Sequence, residues 1–112
     1  MIRYSEQNIN QKDILSVIKT LRSDFITTGP KIKKFEKDLS KKINSNYSVV
    51  FNSATSALHS ACIALDLKKN DWLWTSANSF VASANCGLYC GAKIDFIDIE
   101  LETFNIDFEK LE

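Results

Sequence analysis

Two spacings of apolar residues alternate along this chain. From Asn10, apolar residues recur at Ile14, Val17, Ile18 and Leu21, the spacing of one helix face. Asn10 suits the N-cap and Asp13 puts a negative charge in the first turn. This helix is expected to end near Arg22-Ser23. Phe25–Pro30 then reads as an irregular loop, with Pro30 placed to open a second helix. That helix turns Ile32, Phe35, Leu39 and Ile43 inward and its lysines outward, and should stop around Asn44–Asn46.

Beyond it the pattern shortens. Tyr47–Phe51 is a β-branched and aromatic run, expected to be a first buried strand. Ser53–Leu65 is expected to be helical, Asp71–Thr75 a second strand at a partly covered edge, and Ser79–Tyr89 a helix of small residues ended by a left-handed Gly91. Lys93–Ile99 reads as a third strand and Asp107–Glu112 as the start of a further helix. Strands alternating with helices predict an α/β fold with a mainly parallel sheet and flanking helices. The pattern divides into N-terminal helices over 1–46 and a βαβαβ portion over 47–112. Three strands make only part of such a sheet, so the expectation is the opening portion of a larger α/β domain.

Composition narrows the function classes. Basic and acidic residues balance at 14 each, which argues against a nucleic-acid partner. The run Lys31, Lys33, Lys34, Lys37, Lys41 and Lys42 is interleaved with Glu36 and Asp38 and reads as a solvated helix face. Met1–Asn8 lacks the apolar stretch of a signal peptide and no apolar run is long enough to cross a bilayer, so the cytoplasm is the expected location. Three cysteines in helical patterns do not form a disulfide framework. Cys86 and Cys90, four apart, could share a metal, but no other ligand spacing supports one, so buried thiols are the favoured reading. His59 has no carboxylate or cysteine partner in sequence and reads as a half-exposed surface residue; Asp95 and Asp98 read as solvent-facing or end-of-strand residues.

Two corners could carry chemistry. Phe51 ends an apolar run, and Asn52-Ser53-Ala54-Thr55-Ser56 opens a helix. Free backbone N–H groups, the positive end of the helix dipole and three hydroxyls would converge there on a phosphate. It is neither a Walker loop nor a Rossmann fingerprint, since the glycines are absent. The same residues also suit a plain capped helix start, and the corner alone leaves both readings open. In a parallel sheet, Ser79-Phe80-Val81-Ala82-Ser83-Ala84-Asn85 opens the next helix on the same carboxyl edge. Phe80 could lie flat on an aromatic ligand, although spacing alone favours a Phe filling the gap between strand and helix.

Several pieces together resemble one family. Thr27-Thr28-Gly29-Pro30 before a Phe35-Glu36 helix, Asn52–Leu58, Ser79–Asn85, Gly91-Ala92 and Asp95–Ile99 occur in the order of the sugar aminotransferases that use pyridoxal phosphate (PLP), the DegT/DnrJ/EryC1/StrS type of fold-type I. The likeness runs from Ile2 to Glu112. In detail, Phe51–His59 and Asp71–Ser76 resemble the branch working in pseudaminic acid synthesis. The resemblance implies the N-terminal part of an aspartate-aminotransferase-like large domain. It implies amino transfer from glutamate to a UDP-linked 4-keto-6-deoxy sugar, in a homodimer whose active sites lie at the interface. By match to the family motifs, Ala54, Thr55 and Ser56 would hold the PLP phosphate and Phe80 would stack on the ring, which overturns the gap-filling reading. Ser83 and Asn85 would form a polar face behind it, and Thr28 and Gly29 would line the substrate entrance.

No lysine here matches the family's cofactor-bearing position, and no carboxylate matches the partner of the pyridine nitrogen. The expectation is a chain that is inactive alone, with an unpaired strand and uncovered apolar faces that favour association. Two alternatives remain. One is a non-catalytic α/β module binding a phosphate-bearing ligand or a protein through its exposed edge. The other is an aminotransferase or dehydratase of the same fold acting on another 4-keto hexose.

Overall fold

The structure is a computed structural model that describes residues 5–111. It divides into two compact units, Met1–Val50 and Phe51–Glu112. In the first unit, α1 (Gln11–Leu21) opens on a reciprocal capping box. The Asn10 Oδ1 accepts the Lys12 and Asp13 N–H groups, and Asp13 accepts the Asn10 N–H at 2.9 Å. α2 (Pro30–Ile43) begins on its proline and ends on Asn44 in the left-handed conformation, φ 54°. Lys34 pairs with Asp38 one turn on, and the lysine face is solvated as its sequence implies. Both helices keep apolar stripes exposed, and neither buries a residue.

The expected strand at Tyr47–Phe51 is not one. The segment has no regular secondary structure and pairs with no strand among the described residues, and Tyr47 is 88 % exposed. An apolar run supplies the conformation of a strand, whereas a ladder needs a neighbouring chain segment. The Val50 N–H instead donates to the Glu36 carboxylate, 3.1 Å away.

The second unit is a three-layer stack. α3 (Ala54–Ala64) packs on α4 (Ala82–Tyr89), and α4 packs on the two-stranded parallel sheet of β1 (Trp72–Ser76) and β2 (Lys93–Ile97). Helices and strands therefore alternate around a parallel pairing, the α/β arrangement that the pattern implied. The core is built mostly of small residues: Cys62 from α3, then Ala82, Ala84, Cys86 and Gly87 of α4, and Ala92, with Ile97 as its one large side chain among the described residues. Small side chains on both sides let α4 lie between two layers.

The register Leu73↔Ile94 and Thr75↔Phe96 places these four residues on one face, and α4 lies over its Leu73–Ile94 part. A Cβ built on Gly87 would stand 2.6 Å from Ile94 Cδ1 and 2.8 Å from Leu73 Cδ2, so helix backbone lies directly on the strands. On the opposite face Trp72 and Trp74 are half exposed, with the Lys93 ammonium 5.2 Å above the Trp72 ring. α4 ends in a Schellman motif around Gly91, φ 78°, with Ala92 N–H on Gly87 O and Gly91 N–H on Leu88 O.

Three expected boundaries move. α4 starts at Ala82 rather than Ser79, because residues 80–84 first form a tighter turn: Ser83 N–H bonds Phe80 O and Ala84 N–H bonds Val81 O. β2 stops at Ile97, and Ile99 pairs instead with Ile106 in an antiparallel bridge. The expected final helix is a single 3-10 turn, Phe108–Lys110, capped by Asp107, and Glu112 lies outside the described residues. Of the expected polar leader, Met1–Tyr4 also lie outside them. Among the described residues no helix is long and apolar enough to cross a membrane.

Candidate functional site

The start of α3 is built as a cap with spare donors. Ser53 is extended (φ −153°, ψ 152°), and its Oγ accepts the Ser56 N–H at 3.2 Å and donates to the Ser56 Oγ at 3.0 Å. The first bond along the helix is Ala57 N–H to Ser53 O, 3.2 Å. Helix geometry leaves the Ala54 and Thr55 N–H groups without an internal acceptor. No acidic residue sits in this first turn, unlike α1 with its Asp13, so the positive end of the dipole is not neutralised. Among the described residues nothing hydrogen-bonds the half-buried Thr55 hydroxyl. The corner meets the demands of a phosphate: two amides, an unengaged hydroxyl and no opposing charge.

The second element is a cleft of about 230 Å³ where the carboxyl ends of the strands meet the start of α4. Thr75, Ser76 and Phe96 line it from the sheet, and Ser79, Phe80 and Ser83 from the turn and helix. Phe80 is 74 % exposed, so it does not plug the gap between strand and helix. A large apolar ring held in solvent beside a hydroxyl-lined cleft is free to cover a flat ligand. Ser83 bonds Ser79 across one turn. Asn85 is half-buried, does not line the cleft, and has no side-chain partner among the described residues.

The predicted residues thus fall into groups. Phe80 and Ser83 share the cleft, while Ala54, Thr55 and Ser56 share the first turn of α3. Thr28 and Gly29 belong to the first unit, where Thr28 is left-handed (φ 49°) and Gly29 caps α2. A Cβ on Gly29 would stand 2.9 Å from the Phe25 carbonyl oxygen, so that turn admits no side chain without shifting. A larger cavity of about 600 Å³ beside the end of α2 contains none of the predicted residues.

Sequence reading missed Thr75, Ser76, Phe96 and Ser79. Ser79 and Ser83 four apart around an aromatic was a usable signal. Thr75 and Phe96 were not visible, because their shared face depends on a strand register that neither segment encodes alone.

The remaining titratable groups do not join the site. The three cysteines are free thiols, and burial pushes Cys62 up to about 11, with the neighbouring Cys86 thiol adding to the rise. Cys86 donates to the Ser83 carbonyl at 3.3 Å. Among the described residues no group of three His, Cys, Asp or Glu side chains could hold a metal. His59 is half-buried and packs edge-on against Tyr89, with ring centroids 5.2 Å apart. Asp95 and Asp98 each accept the N–H of the residue that follows. That bond, and then Lys110, hold the Asp98 carboxyl below its usual range.

Known proteins share this fold. The chain is 46 % identical over all 112 residues to a UDP-4-amino-4,6-dideoxy-N-acetyl-beta-L-altrosamine transaminase of Campylobacter jejuni, and covers 29 % of that relative. Among solved structures, a putative sugar aminotransferase of Streptococcus pneumoniae in its PLP form superposes with a TM-score of 0.93 at 35 % identity, over 98 % of this chain and 28 % of that one. Helicobacter pylori PseC, an aminotransferase involved in the biosynthesis of pseudoaminic acid, superposes with a TM-score of 0.87 at 34 % identity, over 98 % of this chain and 31 % of its own. The chain therefore spans less than a third of the length of these relatives. The model of the DegT/DnrJ/EryC1/StrS aminotransferase family matches residues 7–112, and the chain belongs to that family.

Proposed function

We infer that this chain supplies the phosphate-and-ring cradle of a PLP-dependent sugar aminotransferase. The substrate class of that enzyme is a UDP-linked 4-keto-6-deoxy sugar, as in pseudaminic acid synthesis, with glutamate as amino donor. The observation that carries the reading is the start of α3, whose spare amides and Thr55 hydroxyl lie in a first turn without an acidic residue. The likeness to the C. jejuni transaminase supports the substrate class, and the PLP-form neighbour supports the cofactor.

When bound, PLP supplies an electron sink for the carbon that loses or gains nitrogen. This chain's residues supply binding and orientation. The Ala54 and Thr55 amides and the Thr55 and Ser56 hydroxyls hold the phosphate, through charge-assisted bonds of about 1.5–3 kcal/mol each. The Phe80 ring covers one face of the heterocycle, contributing about 1 kcal/mol beyond its burial and keeping water from that face. Ser83, which lines the cleft, supplies a polar surface beside it. The working enzyme is a cytoplasmic homodimer.

Pyridoxamine 5′-phosphate tests the cradle directly, because it has no aldehyde to react with surface lysines. Titrated into the 112-residue chain, it should bind more tightly than pyridoxamine lacking the phosphate. Thr55→Val should weaken binding about ten-fold and Phe80→Ala about five-fold. Equal affinity for the two compounds, or variants that bind like the parent, would remove the reading.

A further inference from the structure

The turn that carries Phe80 is braced in an unusual way. α4 has no side-chain cap: its N-cap position is Val81, which has no group to offer. Instead the Ser79 and Ser83 hydroxyls meet at 2.8 Å across one turn, with Phe80 between them. The backbone repeats the closure, with Ser83 N–H on Phe80 O at 2.9 Å and Asn85 N–H on Val81 O at 3.0 Å. The Phe80 ring is mostly exposed, so burial does little to fix the residue's place and the turn sets where its side chain leaves the backbone. Both serines also line the cleft that Phe80 borders.

We propose that Ser79 is a positioning residue for ligand binding: its hydroxyl, locked to Ser83, holds the turn so that Phe80 stands ready at the cleft for a flat heteroaromatic ring. This rests on the cradle reading and adds to it a residue that makes no cofactor contact there. The gain is preorganisation. A turn already held in one backbone conformation loses less freedom when the ring arrives, worth about three- to ten-fold in affinity.

A double-mutant cycle in the 112-residue chain, with pyridoxamine 5′-phosphate as probe, separates the possibilities. Ser79→Ala should weaken binding about three- to ten-fold, and Ser79→Thr, which keeps the hydroxyl, should stay within about two-fold of the parent. Once Phe80 is alanine, Ser79→Ala should change the affinity less than about two-fold, and inorganic phosphate should bind the parent and Ser79→Ala alike. Circular dichroism checks folding, and if Ser79→Ala does not fold, Ser79→Cys, close to serine in size but a weak hydrogen-bond donor, carries the same expectation. Phe80→Ala weakening the probe while Ser79→Ala does not would overturn the positioning role alone. Equal loss from Ser79→Ala with and without Phe80 would do the same. Phe80→Ala without effect would overturn the cradle reading and this inference with it.

Discussion

Gly87→Ala tests the packing that places the start of α4 at the cleft. The new methyl would sit 2.6 Å from Ile94 Cδ1, 2.8 Å from Leu73 Cδ2 and 3.1 Å from Leu73 Cβ. The first two atoms end flexible side chains and can rotate away. The third is bonded to the strand backbone and moves only with β1. Overpacking of this kind costs about 2–3 kcal/mol. Alanine returns about 1 kcal/mol through helix propensity, so the net loss is about 1–2 kcal/mol. In urea, followed by the fluorescence of Trp72 and Trp74, the midpoint should fall by about 1 M for a slope of about 1–2 kcal/mol/M. Trimming Ile94 to Val in the same chain should recover part of the loss. A Gly87→Ala chain as stable as the parent would refute the close contact between α4 and the sheet.

Two further outcomes follow from the burial and charge of particular groups. Cys62 and Cys86 are buried whereas Cys90 is half-buried, so a disulfide reagent at neutral pH should label one thiol quickly and the other two only in denaturant; three equally fast thiols would contradict the α3–α4 packing. Asp98 is held below its usual range by the Ile99 N–H and by Lys110, so its contribution is present above the ordinary carboxylate pKa and lost as pH falls through its lower folded value. The Ile99 amide resonance should titrate with a midpoint below about 3.9, and Asp98→Asn should abolish that step; a midpoint at or above that value would contradict both the Ile99 N–H bond and the ion pair.

Local signals in the sequence located most elements because their causes are local. The Asn10–Asp13 box, Pro30 at the head of α2, Ser53 at the head of α3 and Gly91 after α4 each act within a few residues. Tyr47–Phe51 failed because strand pairing is a property of two segments, and Glu36, fourteen residues away, satisfies the Val50 N–H instead. The head of α4 was placed three residues early because the Ser79–Ser83 bond supports a turn that is not yet helix. For the site, the α3 corner was readable as a phosphate-compatible helix start. The family resemblance, rather than spacing, proposed Phe80 for the ring, and the structure leaves that side chain exposed. The sheet side of the cleft awaited the register that sets Thr75 beside Phe96.

The most direct measurement is an amide and aromatic NMR map of the chain as pyridoxamine 5′-phosphate is added. The account predicts that the Ala54, Thr55 and Ser56 amides shift together with the Phe80 ring protons, on one binding curve. Shifts gathered around Ser40–Ser48 instead, or α3 amides that respond while Phe80 stays still, would contradict it.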